Sequence, residues 1–121
     1  MAQYKVQRAK DAEGSTVYTY TAPGHNICTC TRLHDPADVD GGKMIQGITY
    51  FEPGGNVDFG ANPLESIYYI LEGEMTLKTE DCETVLKAGD SFHCCGGCPK
   101  SVTNTGTTVT KMLVTLLPPQ A

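Results

Sequence analysis

Ile67-Tyr68-Tyr69-Ile70-Leu71-Glu72-Gly73-Glu74 is the stretch on which the fold turns. It is a run of β-branched and aromatic residues stopped by a Glu-Gly-Glu turn, the pattern of a strand entering a hairpin. Working outward, Pro53-Gly54-Gly55 marks an earlier turn, and Gly89-Asp90 marks a later one ahead of Ser91 to Cys95. The rest of the chain follows the same rule: short alternating apolar runs are separated by Gly, Pro, Asp and Asn, and nothing announces a helix. This is the pattern of an all-β barrel or sandwich.

In chain order, strands are expected at Tyr4 to Arg8, Ser15 to Thr21, Asn26 to Leu33, Met44 to Glu52, Val57 to Phe59, Ser66 to Glu72 and Met75 to Thr79. Further strands follow at Cys82 to Lys87, Ser91 to Cys95, Lys100 to Asn104 and Thr108 to Leu117. Tyr18 and Tyr20 share a face. Ile27, Thr29, Thr31 and Leu33 point one way and Cys28, Cys30 and Arg32 the other. His34 to Gly42, acidic and turn-rich, reads as a surface loop that rims the barrel mouth, and Pro118-Pro119 ends the last strand. About ten short strands suit a closed or nearly closed barrel.

Periodicity leaves jelly-roll, lipocalin-like and sandwich architectures open. The choice comes from two spaced motifs, one over about 54–73 and one over about 89–104. The second reads Gly89, Cys95, Gly97, Lys100 and Asn104 where the cupin superfamily usually has Gly, Pro, Gly, His and Asn. The Pro53-Gly54 turn and the Tyr-Ile-Leu-Glu-Gly-Glu hairpin complete the likeness. The chain therefore resembles a small RmlC-like cupin, which implies an all-β, single-domain cupin β-barrel of the double-stranded β-helix or jelly-roll type over residues 1–121.

In metal-binding cupins three histidines and a carboxylate converge in the barrel. The resemblance places these at positions occupied here by Gly60, Asn62, Ser66 and Lys100. Glycine offers no ligand, amide and hydroxyl are poor neutral ones, and an ammonium repels a divalent ion. No cofactor is expected at that site. If these positions face inward, alternation brings Asp58, Tyr68, Ile70, Val102 and Asn104 inward with them.

Asp58, Asn62, Ser66, Tyr68 and Lys100 then form a polar patch in an otherwise apolar barrel. Lys100 and Asp58 are the candidate catalytic pair, the first anchoring an anionic group or enolate and the second accepting a proton, with Asn62, Ser66 and Tyr68 as substrate-binding residues. A Schiff base on Lys100 needs a neutral amine and ranks lower. The structural alternative is that Lys100 extends to the mouth and pairs with Asp58 or Glu65, while Asp58 serves only a turn. Asn104 is expected to make backbone hydrogen bonds, and Tyr50 and Tyr69 to be core or dimer-surface aromatics.

His93-Cys94-Cys95-Gly96-Gly97-Cys98 holds enough donors for a zinc or iron ion, the alternative cofactor. Against this, His93 and Cys94 are adjacent on a strand and point to opposite faces. The competing readings make Cys95 a replacement for the family's turn proline, Cys94 a small buried hydrophobe, and Cys95 with Cys98 a redox pair. Cys28 and Cys30 are expected as core or interface thiols, and His25 and His34 as loop histidines, His34 bordering a pocket mouth with Arg32.

With 121 residues the chain fits one domain, and a formal charge of −5 without a basic cluster argues against nucleic acid. No apolar run approaches the roughly 20 residues of a membrane helix, and the first residues lack the apolar core of an export signal, so a cytoplasmic protein is expected, its cysteines thiols rather than disulfides. The resemblance adds a homodimer. The leading functional expectation is a metal-independent small-molecule enzyme, an isomerase, epimerase or lyase working by proton transfer on a small anionic or carbonyl-containing substrate. The alternatives are a binding cupin without turnover and a metalloprotein using the His93, Cys94, Cys95 and Cys98 cluster.

Overall fold

The computed structural model describes residues 5–39 and 42–118. Nine antiparallel strands build it: β1 Tyr18–Tyr20, β2 His25–His34, β3 Ile45–Ala61, β4 Glu65–Glu72, β5 Glu74–Lys78, β6 Glu83–Lys87, β7 Ser91–Cys94, β8 Pro99–Thr103 and β9 Thr110–Leu117. A short 3-10 helix, Pro36–Asp38, lies in the acidic loop. The hydrogen-bonded order is β6-β5-β8-β3-β9-β4-β7, with β2 also on β3 and β1 on β2.

β3 lies at the centre of a single nine-stranded sheet and links its two ends. Residues Ile45 to Phe51 pair with β9, and Asn56 to Ala61 pair with β8. Two separate strands on either side of a Pro-Gly-Gly turn were expected; the structure has one strand of 17 residues that bends there. The reason lies in its neighbours, since β2 runs alongside both halves while β8 replaces β9 on the other edge. Gly54 takes the bend at φ +83, and the main chain of Asn104 clasps it, with Gly54 N–H donating to Asn104 O and Asn104 N–H donating to Gly55 O. A side chain at Gly55 would strike the carbonyl oxygens of Ile27 and Glu52.

The segment Lys5 to Arg8 is not a strand; Tyr4 lies outside the described residues. Lys5 instead reaches Asp38 at 2.7 Å, and Lys10 sits 5.3 Å from the Tyr50 ring centre, so this segment lies along β2 and β3. The Ser15 to Thr21 expectation shrinks to β1, where the Tyr18 and Tyr20 rings lie 5.9 Å apart. β2 has a bulge at Ile27, whose φ is +53, and alternates from Cys28 to Cys30, but Thr31 is buried beside Cys30 and the register shifts again between Arg32 and His34.

The core gathers Cys28, Phe51, Tyr68, Ile70, Met75, Leu86, Cys94, Val102 and Met112. On β4 it takes every second residue, Ser66, Tyr68 and Ile70, and leaves Ile67, Tyr69 and Leu71 exposed. Asn104 ties the hairpin beneath it: its Nδ2 donates to Phe51 O and Thr108 O, and its Oδ1 accepts from Gly106 N–H. No helix among the described residues is long and apolar enough to cross a membrane.

Candidate functional site

Above this core the strands part around a cavity of about 490 Å³. Its wall is mostly apolar, with Ile45, Val57, Val102, Met112, Val114 and Leu116 supplied by β3, β8 and β9. Val102 and Met112 form its floor, because they also belong to the core. Into this space the fold aims one cation from β8 and a handful of polar groups from the rim.

Lys100 is half-buried and faces Gly60 across the β3–β8 ladder. A Cβ at Gly60 would meet nothing nearer than Asp58 O at 4.0 Å, so this glycine opens volume beside Lys100 rather than relieving a clash. The ammonium stands 5.0 Å from the centre of the Tyr68 ring, a cation–π contact. Tyr68 is held in turn by Phe92, stacked at 4.6 Å and 18°. Among the described residues no carboxylate lies within ion-pair distance of Lys100, which has neither Asp58 nor Glu65 as its partner.

Asp58 lines the same cavity but at its exposed rim. Its Oδ1 accepts from Asn26 Nδ2 at 2.7 Å, and its backbone N–H donates to Gly24 O at 2.7 Å. A bulge explains the position: the β3–β8 register shifts between Val57 and Gly60, so Val57 packs on the core while Asp58 and Phe59, both exposed, border the cavity at its rim. Strict alternation had put Asp58 on the inward face.

Asn62 also lines the cavity, with its Oδ1 occupied by Leu64 N–H at 2.9 Å. Ser66 is buried beneath the wall, between Cys94 and Leu116 in the ladders, and its Oγ has no partner. It does not line the cavity. The structure thus brings Lys100, Tyr68, Asn62 and Asp58 to one space and keeps Ser66 behind it.

The opposite wall comes from the N-terminal strands. Arg32 lines it, donating to Asp35 at 2.7 Å and to Tyr20 Oη at 3.2 Å. Burial works against the guanidinium's charge, but Tyr20 and Asp35 outweigh it and hold the proton more firmly than usual. Tyr20, Cys30, Thr49 and His25 complete that side. Burial pushes the Cys30 thiol up, and that of Cys28 up to about 11. The sequence had Arg32 bordering a pocket mouth together with His34; Arg32 does line the cavity, His34 is not among its lining residues, and His25, expected as a loop histidine, joins the wall unforeseen.

The metal fit fails on chemistry at the family's usual positions. Gly60 has no donor, the Asn62 oxygen is engaged, Ser66 is a neutral hydroxyl, and Lys100 brings a positive charge. Among the described residues no group of three or more His, Cys, Asp and Glu side chains is arranged to hold an ion. In the cysteine stretch, His93 turns outward to Glu65 at 2.6 Å while Cys94 is buried, its Sγ against Cys98 O at 3.7 Å. Burial raises the Cys94 thiol, opposed by the charge of Lys100. Cys95 and Cys98 are exposed.

Comparison with known proteins agrees with this architecture. A curated relative, a β-D-galactosidase of Mycobacterium tuberculosis, is 29% identical over 102 residues, covering 84% of this chain and 88% of its own. Among solved structures, a predicted oxalate decarboxylase from Thermotoga maritima superposes with a TM-score of 0.78 at 23% identity, covering 93% of this chain and 98% of the other. The polyketide cyclase RemF from Streptomyces resistomycificus gives 0.74 at 22% identity, covering 93% and 83%. The Cupin domain family model matches residues 47–116, more than half the sequence and all but the first two strands of the barrel, and the chain belongs to that family.

Proposed function

We propose that this cupin is a small-molecule enzyme working by proton transfer without a metal, on a substrate with an apolar body and one anionic or enolisable carbonyl group. The observation that carries it is Lys100, a cation facing an apolar cavity with no carboxylate partner among the described residues. In such surroundings an ammonium interacts strongly with charge that develops on an enolate oxygen, because little water competes. Tyr68 fixes where the ammonium stands. Asp58 has Oδ1 engaged by Asn26, which leaves Oδ2 as a proton acceptor at the rim. Asn62 borders the same space, and Ser66 lies behind the wall, out of reach of the substrate.

Glycoside hydrolysis, which the mycobacterial relative's name raises, fits this cavity less well. That reaction ordinarily uses two carboxyl groups about 5–9.5 Å apart across the bond. Among the described lining residues Asp58 is the one carboxylate.

The test is proton exchange in D2O, followed by NMR, over a panel of small enolisable ketones, keto acids and carboxylates, with 4-nitrophenyl β-D-galactoside assayed beside them. Enzyme-dependent loss of a C–H signal that disappears in Lys100→Met supports the reading. Thermal stabilisation by a panel member without exchange would make the protein a binder, and galactoside hydrolysis insensitive to Lys100→Met would replace the proposal altogether.

A further inference from the structure

The turn that leads into β8 carries a feature the cavity chemistry does not use. Cys95-Gly96-Gly97-Cys98 is a tight β-turn: Cys98 N–H donates to Cys95 O at 3.2 Å, and Gly97, third of the four, has φ +85. That is type II geometry, which asks for glycine where Gly97 stands. The first and last residues of such a turn lie within about 7 Å between Cα atoms, and a disulfide needs roughly 4.4–6.8 Å. Both cysteines are exposed, and the residues between them carry no side chain to obstruct a bridge.

We propose that Cys95 and Cys98 are a modification site, forming a reversible disulfide under oxidation by a hydroperoxide. One thiolate attacks a peroxide oxygen, the O–O bond breaks, and a sulfenic acid forms while the alkoxide or hydroxide leaving group takes up a proton and departs as an alcohol, or as water when the oxidant is hydrogen peroxide. The second thiol displaces the hydroxyl as water, so each sulfur gives up one proton and one electron as the S–S bond forms. Cys94 stays outside the reaction, buried below the turn with its thiol against the Cys98 carbonyl.

The bridge closes around a loop that is already anchored. Gly97 N–H donates to Asn62 O at 2.8 Å, and a Cβ at Gly96 would collide with the Pro63 carbonyl oxygen. Asn62 and Pro63 line the cavity, and Lys100 lies two residues past Cys98. Oxidation therefore braces the rim from which Lys100 projects.

The experiment treats the folded protein with hydrogen peroxide, alkylates the remaining thiols with iodoacetamide, and sequences tryptic peptide 88–100 by tandem mass spectrometry. That peptide holds Cys94, Cys95 and Cys98. The expected product carries one alkyl group, on Cys94, and lacks two hydrogens elsewhere; dithiothreitol before alkylation restores three alkyl groups. Cys82, exposed on another turn without a second cysteine in it, serves as the internal control for peroxide exposure. In Cys95→Ser the two-hydrogen loss should vanish. Three alkyl groups on the peptide at a dose that oxidises Cys82, sulfinic acid on Cys95 or Cys98, or a link that includes Cys94 would each overturn the assignment.

Discussion

At one end of the barrel Phe51, Ile70 and Met75 are fully buried and Asn104 is 1% exposed; at the other, the same strands part around a cavity of about 490 Å³. β3, β4, β8 and β9 contribute to both. Moving two residues along β4 goes from Ile70 in the packed end to Tyr68 at the cavity floor, and four along β8 and its turn goes from Asn104 to Lys100. Polar groups mark the difference. In the closed end the Asn104 side chain makes three hydrogen bonds, and both of its amide hydrogens are engaged. In the open end the Lys100 ammonium stands over the Tyr68 ring and, among the described residues, has no ion-pair partner. A polar group whose donors are all engaged holds a fold together, and one with donors left over is available to a ligand.

The comparison can be broken most decisively at Asn104. Replacing it with Ala leaves the Phe51 and Thr108 carbonyls and the Gly106 N–H without their partner, and the expected loss is about 3 kcal/mol of unfolding free energy, read by urea denaturation. A loss under about 1 kcal/mol would mean that the closed end does not depend on this residue. Lys100→Met is the counterpart. Because a cation–π contact at a part-exposed site contributes about 0.5–1 kcal/mol, stability should fall by no more than that, while proton exchange or ligand binding disappears.

Cys28 sharpens the comparison through pH. Its thiol keeps its proton up to about 11 in the folded chain, whereas in the unfolded chain it titrates near 9.0. Above pH 9 the unfolded state sheds the proton first, so this contribution is whole below pH 9 and is lost as pH rises toward 11. Thermal midpoints recorded from pH 8 to 10.5 should fall in the native protein and fall less in Cys28→Ala. The smallest effect belongs to the outer face, where His93 and Glu65 are each about half exposed. Breaking that pair with His93→Gln should change stability by less than about 0.5 kcal/mol in 0.15 M salt.

Where a strand keeps its alternation, its inward residues were readable from the sequence. Ser66, Tyr68, Ile70, Val102 and Asn104 all came out buried, because one face of each strand meets the core. Asp58 did not follow the pattern, since a bulge adds a residue without leaving a mark on the pattern of apolar positions. The same blindness hid the continuity of β3: a Pro-Gly-Gly sequence describes a bend and a turn equally well, and only the pairing of β2 along both halves distinguishes them. Much of the cavity wall, Tyr20, Cys30, Arg32 and Thr49 on one side and Met112, Val114 and Leu116 on another, comes from outside the motifs. No local spacing brings them together; strand order does.

The single strand β3 has a consequence for how the molecule comes apart. It is hydrogen-bonded to β9 over one half, to β8 over the other, and to β2 along both. Neither β8 nor β9 can leave without freeing backbone groups of β3, which β2 bonds along both halves. Loss of structure is therefore all-or-none across the barrel, and amides of Phe51 on one side of the bend and Val57 on the other should exchange with solvent hydrogen at the same global free energy.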